Sequence, residues 1–377
     1  MVAQGRRVGA AEEGARRMAR MVTTVVASAA MAACNDEQLG PPTQDEAATY
    51  LAQAGLGATQ AGIDQVMQLG FGGWLDQQFA MPLSESLWSW LLAHGFNAAI
   101  YKSSDMGMDH ALWYRLSIAP DVLRQRVVLA LSQHFVVSLR DMPVPWGQFA
   151  CVAYWEMLEA NCFGNFRTLL ERVALSPAMG VYLSMRGSSK EDALGRQPDE
   201  NFARELLQLF TIGLVQLNPD GGTRLDANGQ PIDTYGNDDV QGLARVFTGW
   251  DVDGFDPALR LHAPPDGLRR KPAQHDGQGL SGHGHRGQHA GKEAFAKALD
   301  TIFHHPNVGP FIARSLIQQM VTSNPSKEYV GRVAASFNDN GQGVRGDMQA
   351  VIRAVLMDGE PRLGLSPLPV DMVRLAR

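Results

Sequence analysis

Cysteine is scarce in this chain. Three residues, Cys34, Cys151 and Cys162, are all that 377 positions hold. At most one internal pairing is open, Cys151 with Cys162. An exported compartment permits such a bond, but its geometry cannot be read from spacing, and the two are expected to be structural thiols. Positive charge is not in excess either. The 33 Lys and Arg face 39 Asp and Glu, a net charge of −6, and no basic stripe with interleaved aromatics occurs. That balance excludes nucleic acid as an expected partner. Long apolar runs are missing: the run Met21–Ala33 is too short to span a bilayer. Also missing are a Walker loop, a strand-led G-x-G-x-x-G, a G-x-S-x-G elbow, an H-E-x-x-H helix and repeats of solenoid period. Strand–helix alternation is lacking, which disfavours a Rossmann or barrel core.

What the chain does have is helical periodicity. Ala47, Tyr50, Leu51 and Ala54 fall at i, i+3, i+4 and i+7 before the break at Gly55-Leu56-Gly57. Ile63, Val66 and Met67 carry a second helix, and Gly73-Trp74-Leu75 starts a third that contains Phe79. Leu123, Val127, Leu131 and Phe135 mark a helix within 119–137, with Arg124 and Arg126 assigned to its wet side. Helices are also expected around 153–159, 166–173, 298–303, 308–321, 329–337 and 348–357. The turn Asn338-Asp339-Asn340-Gly341 resembles half a calcium loop but has no Glu at the twelfth position, so a helix-ending turn is expected.

The chain is organised around Pro198–Gly213. Asp199 is placed to cap a helix, and Glu200 adds negative charge to its first turn. Phe202, Leu206, Leu209 and Phe210 give the apolar stripe, and Gly213 the left-handed stop. Glu200, Arg204, Gln208 and Thr211 form a polar band, with Asn201 and Glu205 at the edge of the buried face. A second helix starts at Asn237-Asp238-Asp239, with Val240, Leu243, Ala244 and Phe247 inward and Arg245 outward. Between the two, Pro219-Asp220-Gly221-Gly222 and Asn228-Gly229 are turn signals that predict one small β-hairpin near 214–235. The fold class expected is mainly α, an irregular multi-helix domain with that single hairpin.

The string DENFARELLQLFTIGL, then LNPDG, then a tyrosine before NDDVQGLARVFTGW, resembles the bacterial DUF1800 family. LRQRVVLALSQHFVVS and NCFGNFRTLLERVALSPAMGVYL agree, and the likeness covers roughly residues 45 to 358. It implies a mostly helical exported protein with no settled activity. Many relatives have Trp-His-Asn-His-Phe where this chain has Leu131-Ser132-Gln133-His134-Phe135, so a two-histidine metal pair is not available here.

The domain reading follows. Residues 1–33 are read as a lipoprotein-like signal peptide: Arg16, Arg17 and Arg20 precede the apolar run, and Met31-Ala32-Ala33-Cys34 resembles a lipobox with Cys34 as the lipidation site. Cleavage after Ala33 without a lipid is the alternative, and translation from Met18 or Met21 would account for the long basic preamble. Residues 34–45 are a linker and 46–358 the helical domain. Residues 359–377 form an atypical tail that reads as truncated. Within the domain, 259–292 is a His/Gly-rich loop whose His283, His285 and His289 are spaced to hold zinc or copper. A solvated loop and a local frame shift are the other readings of that stretch.

Two functional classes stay open. One is an exported enzyme, hydrolytic or assisted by a divalent metal. It would use Glu205, Arg204, Glu200, Asn201 and His134, with Asp238, Asp239 and Arg245 from the following helix. The other is a non-catalytic envelope scaffold or binding protein in which the same residues fix helix packing and the partner is another envelope protein. Contact with the membrane is expected only through a lipid on Cys34. Because an edge-of-stripe carboxylate needs a partner, Glu205 is expected within reach of Arg245 or His134.

Overall fold

The computed structural model describes residues 41–140, 144–252, 268–270 and 284–362, the backbone alone at 252, 268–270, 284–290 and 362. The expected leader with Cys34 and the tail beyond Arg362 lie outside the described residues. So do His262, His275 and His283.

The first helix, α1 (Gln44–Ala54), starts in a capping box. The Thr43 hydroxyl accepts from the Glu46 N–H at 3.3 Å, and the Glu46 carboxylate accepts from the Thr43 N–H at 2.8 Å. Ala47, Tyr50, Leu51 and Ala54 are buried, as their spacing predicts. The next two expected helices are one run, α2 (Gln60–Ala80), divided at Gly70, whose φ of 69° breaks the helical path. There follow α3 (Leu87–Ala93), α4 (Met108–Ile118), α5 (Val122–His134) and α6 (Gly147–Asn161). Phe149, Val152, Tyr154, Trp155 and Leu158 bury α6 on several sides, the mark of an interior helix. It packs against α3, α4 and α5, and also against α7 (Phe166–Ala174) and α8 (Pro177–Tyr182).

Helix α5 corrects one expectation. Leu123, Val127, Leu131 and Phe135 are buried as predicted, but Arg124 is buried too, at 8% exposure, and Arg126 is mostly enclosed. Both guanidinium groups spend their N–H donors on backbone carbonyls. Arg126 donates to Gln53 at the end of α1, and to Gln319 (2.6 Å) and Met320 at the end of a later helix. Three carbonyls at two negative helix termini compensate its desolvation, which holds its pKa down at about 10.

The organising stretch forms α9 (Asn201–Glu205) and continues as a π-helical segment, Leu206–Thr211. It stops at Gly213, whose φ is 71°. A Cβ at Gly213 would sit 2.9 Å from the Phe311 ring, so glycine is required there twice over. The expected hairpin is not a regular ladder. Residues 214–234 make isolated antiparallel bridges, Val215 with Asp233, Leu217 with Thr223 and Leu225 with Pro231, around two tight turns. Asp220 and Asp226 accept backbone N–H bonds inside those turns, and backbone bonds such as Gln216 N–H to the Ile232 carbonyl and Thr234 N–H to the Leu214 carbonyl join the arms. After α10 (Asn237–Val246), β1 (Trp250–Val252) pairs antiparallel with β2 (Leu268–Arg270), Trp250 opposite Arg270.

Helix α11 (Gly284–Phe303) begins inside the span expected to be a loop, 259–292. It is followed by α12 (Val308–Met320), α13 (Lys327–Asn338), α14 (Met348–Met357) and α15 (Gly359–Arg362). Helix α12 lies along α13, and α14 packs back onto α1 and α2. The turn after α13 is internal: Asp339 and Asn340 accept N–H bonds from Gly341, Gly343 and Gln342. One continuous apolar core joins these helices. Among the described residues no helix is long and apolar enough to cross a membrane.

Candidate functional site

Most of the polar residues singled out in the sequence are committed to local structure. The Asp199 carboxylate accepts from the Asn201 N–H at 2.8 Å and opens the helix, with Asn201 itself exposed. Arg204 and Glu200 form the expected i,i+4 ion pair at 2.8 Å, their side chains 43% and 31% exposed. Such a pair contributes only about 0.3–0.5 kcal/mol. Asp239 folds back to accept from the Gly236 N–H at 2.8 Å, capping α10, with Asp238 exposed beside it. Arg245 pairs with Glu191 at 2.6 Å on the surface.

The π segment changes which residues of the organising helix face inward. A π-helix turns through a smaller angle per residue, so the face assigned at an α-helical pitch drifts. Leu209, expected in the buried stripe, is 46% exposed. Thr211, expected in the polar band, is fully buried and donates its hydroxyl to the Leu206 carbonyl at 2.5 Å. The widened helix end is tied down from two sides. Asn307 donates to the Ile212 and Val215 carbonyls, both at 2.8 Å, and accepts from the Leu217 N–H. His134 bonds the Phe210 carbonyl through Nε2 at 3.0 Å. A carbonyl only accepts, so Nε2 carries the proton and Nδ1 is left to accept from the Ser315 hydroxyl, also at 3.0 Å. Burial lowers the ring's pKa to about 4, partly opposed by the Phe210 bond. His134 is therefore a neutral imidazole with both nitrogens in use.

Glu205 sits where the α-helical turn gives way to the π segment. The residue is part-buried, and its Oε2 is shut off from solvent without a hydrogen-bond partner. The expected partners are engaged elsewhere: His134 with Phe210 and Ser315, Arg245 with Glu191. The neighbour is Tyr235 instead. Its phenol pKa is raised, first by burial, with Arg204 lowering it and Glu205 raising it. The Tyr235 hydroxyl and the Thr234 Oγ1 are likewise enclosed and unpartnered. Glu205 and Tyr235, from two segments, thus share one electrostatic neighbourhood with Arg204. Tyr235 is the tyrosine of the family-like string ahead of Asn237-Asp238-Asp239, but nothing local in the sequence assigns a tyrosine after a turn to a carboxylate on another helix.

A second polar concentration lies inside the core and carried no sequence signal. Arg115 of α4, 3% exposed, pairs with Glu159 of α6 and donates to the Glu85 carbonyl. Gln125 donates to the same Glu159 carboxylate at 2.9 Å, and Arg124 bonds the Glu159 carbonyl and sits 3.1 Å from Asp121. Burial raises the Glu159 pKa against the pull of Arg115 and Gln125.

Among the described residues no group of three or more His, Cys, Asp or Glu is arranged to hold a metal ion. His283 and the side chains of His285 and His289 lie outside them. Cys151 and Cys162 are buried free thiols, each pushed up to about 12 by burial. The family model described as "Protein of unknown function (DUF1800)" matches residues 49–364. No curated protein and no solved structure matches the chain.

Proposed function

Because the chain belongs to the DUF1800 family of proteins of unknown function, kinship leaves the role open, and we propose an exported bacterial envelope protein that acts through the Glu205 carboxylate. One observation carries this reading: Glu205 Oε2 is enclosed and unpaired, and it shares an electrostatic neighbourhood with Tyr235, whose hydroxyl is equally unpaired. Leaving polar atoms so costs several kcal/mol, a penalty that falls away when a ligand group or an activated water sits among them. A carboxylate in that position takes a proton from a bound water or hydroxyl, while the Tyr235 O–H donates a hydrogen bond to the group being attacked. The reaction class that fits is hydrolytic. A divalent metal held by Glu205 would supply the same activated water. Export rests on Arg16, Arg17 and Arg20 before the Met21–Ala33 run and on Cys34 behind it.

The non-catalytic reading also has an observation in its favour. His134, Arg204, Asp239 and Arg245 each have a structural partner within the fold. The full chain and its Glu205→Gln variant separate the two. Elemental analysis and a panel of ester, amide and glycoside substrates are run on both, with circular dichroism as the control for folding. Turnover or bound metal that disappears in Glu205→Gln at unchanged helicity supports the enzyme. Turnover and metal content equal in both proteins would refute it, and a variant that unfolds assigns Glu205 to the scaffold.

A further inference from the structure

A pocket of about 240 Å³ opens between the start of α3 and the end of α4, distant in sequence from Glu205 and used by none of the residues discussed for it. Leu87, Trp90, Tyr114 and Ile118 form its walls, and Ser84, Glu85, Ser86 and Arg115 are its polar residues. We propose that it binds a small uncharged molecule, a ring or short apolar chain bearing one hydroxyl or carbonyl oxygen.

Size sets the first limit. The volume falls below the ~300–1,000 Å³ of pockets that enclose drug-sized ligands, so the occupant is one ring or its equivalent.

Charge sets the second. Behind the pocket, Arg115 and Arg124 balance Asp121 and Glu159, and all four are at most 8% exposed. These four buried charges cancel, and Glu85, the other charged residue of the lining, is exposed to solvent, so a charged ligand would add an uncompensated charge to the desolvated side of the site.

The third limit is the hydrogen-bonding pattern. Arg115 has five N–H donors, of which bonds to Glu159 and to the Glu85 carbonyl are formed. The Ser86 oxygen accepts from the Ser89 N–H at 3.2 Å, which leaves its own proton to donate. Spare donors therefore await an acceptor oxygen. At the mouth, Tyr114 and Ile118 are 41% and 58% exposed, so an apolar body meets apolar surface as it enters.

The test uses three probes of one shape on the full chain: benzyl alcohol, benzoate and benzylamine, followed by ligand-observed NMR. Saturable binding of benzyl alcohol is expected, at least tenfold tighter than either charged probe. Ala119→Leu, which adds bulk to the lining, should weaken it at least tenfold. Tyr114→Ala, at a half-exposed position, should weaken it severalfold with helicity kept. Glu205→Gln should leave it unchanged, which separates this site from the one proposed above. Benzyl alcohol that fails to saturate, benzoate that binds as tightly, or affinity indifferent to both pocket substitutions would each overturn the proposal.

Discussion

Lowering the pH from 7 to 4 should destabilise the protein through a side chain that can be named in advance, His134. Its pKa is lowered from 6.5 to about 4 because burial disfavours the imidazolium, and Nδ1, which would take the proton, already accepts from Ser315. In the unfolded chain the ring protonates as the pH falls through 6.5, whereas the folded ring resists until about 4. The unfolded state thus binds more protons throughout that window. The contribution to stability is whole above 6.5 and is lost on the way down to 4. Its upper limit is about 3 kcal/mol. His305 is lowered in the same direction by burial and by Arg345, so the wild-type curve alone does not isolate His134. The comparison is with His134→Gln, whose amide can still donate to the Phe210 carbonyl and accept from Ser315 but cannot titrate. Urea unfolding of both proteins, followed at several pH values between 7 and 4, gives the difference directly. The wild-type advantage at pH 7 should shrink by about 2–3 kcal/mol at pH 4. Parallel pH profiles for the two proteins would show that His134 does not reside as a buried neutral ring, and would reopen it as a titrating catalytic candidate.

Three further outcomes are expected. Glu159→Leu or Arg115→Met alone should cost about 3–5 kcal/mol by stranding a buried charge, while the double substitution should cost much less than their sum; additive losses by chemical unfolding would refute the pairing. Gly213→Ala should cost about 1–3 kcal/mol through its positive φ, with the approach to Phe311 adding to it, and a melting temperature equal to wild type would contradict the assigned helix stop. Cys151 and Cys162 should resist iodoacetamide at pH 8 in the folded protein and react fully in urea, because burial both blocks them and holds the thiolate population down; mass spectrometry of native alkylated protein would expose an error.

The helices were legible wherever a stripe of apolar side chains kept the 3.6-residue rhythm. Leu123, Val127, Leu131 and Phe135 are all buried, as are Tyr329, Val333 and Phe337. Legibility ended where a helix departed from that rhythm or where polar atoms found distant partners. The π segment widens the ladder by one residue, a change in hydrogen bonding that leaves no compositional trace, and it exchanged the expected fates of Leu209 and Thr211. Sequence alone places Arg124 and Arg126 outward, since an arginine beside apolar residues ordinarily snorkels to water. Here carbonyls at 53, 81, 159, 319 and 320 take water's place, and no local pattern discloses acceptors so far away. The site was half legible for the same reason. Glu205 is legible at the edge of the stripe, but its neighbour Tyr235 comes from another segment, and the ion pair of Arg245 goes to Glu191 rather than inward.

The reach of Arg126 bears on the order in which the chain can be completed. Synthesis supplies Gln53 long before Arg126, so one acceptor is waiting when the guanidinium appears. The other two, at 319 and 320, come from α12. Until they arrive the cation must stay hydrated, and α1 and α5 cannot close on each other in their final geometry without stranding it. A nascent or proteolysed fragment that stops short of α12 therefore lacks the groups that make burial of this arginine tolerable. Burial of Arg126 thus couples α1 and α5 to the C-terminal end of α12.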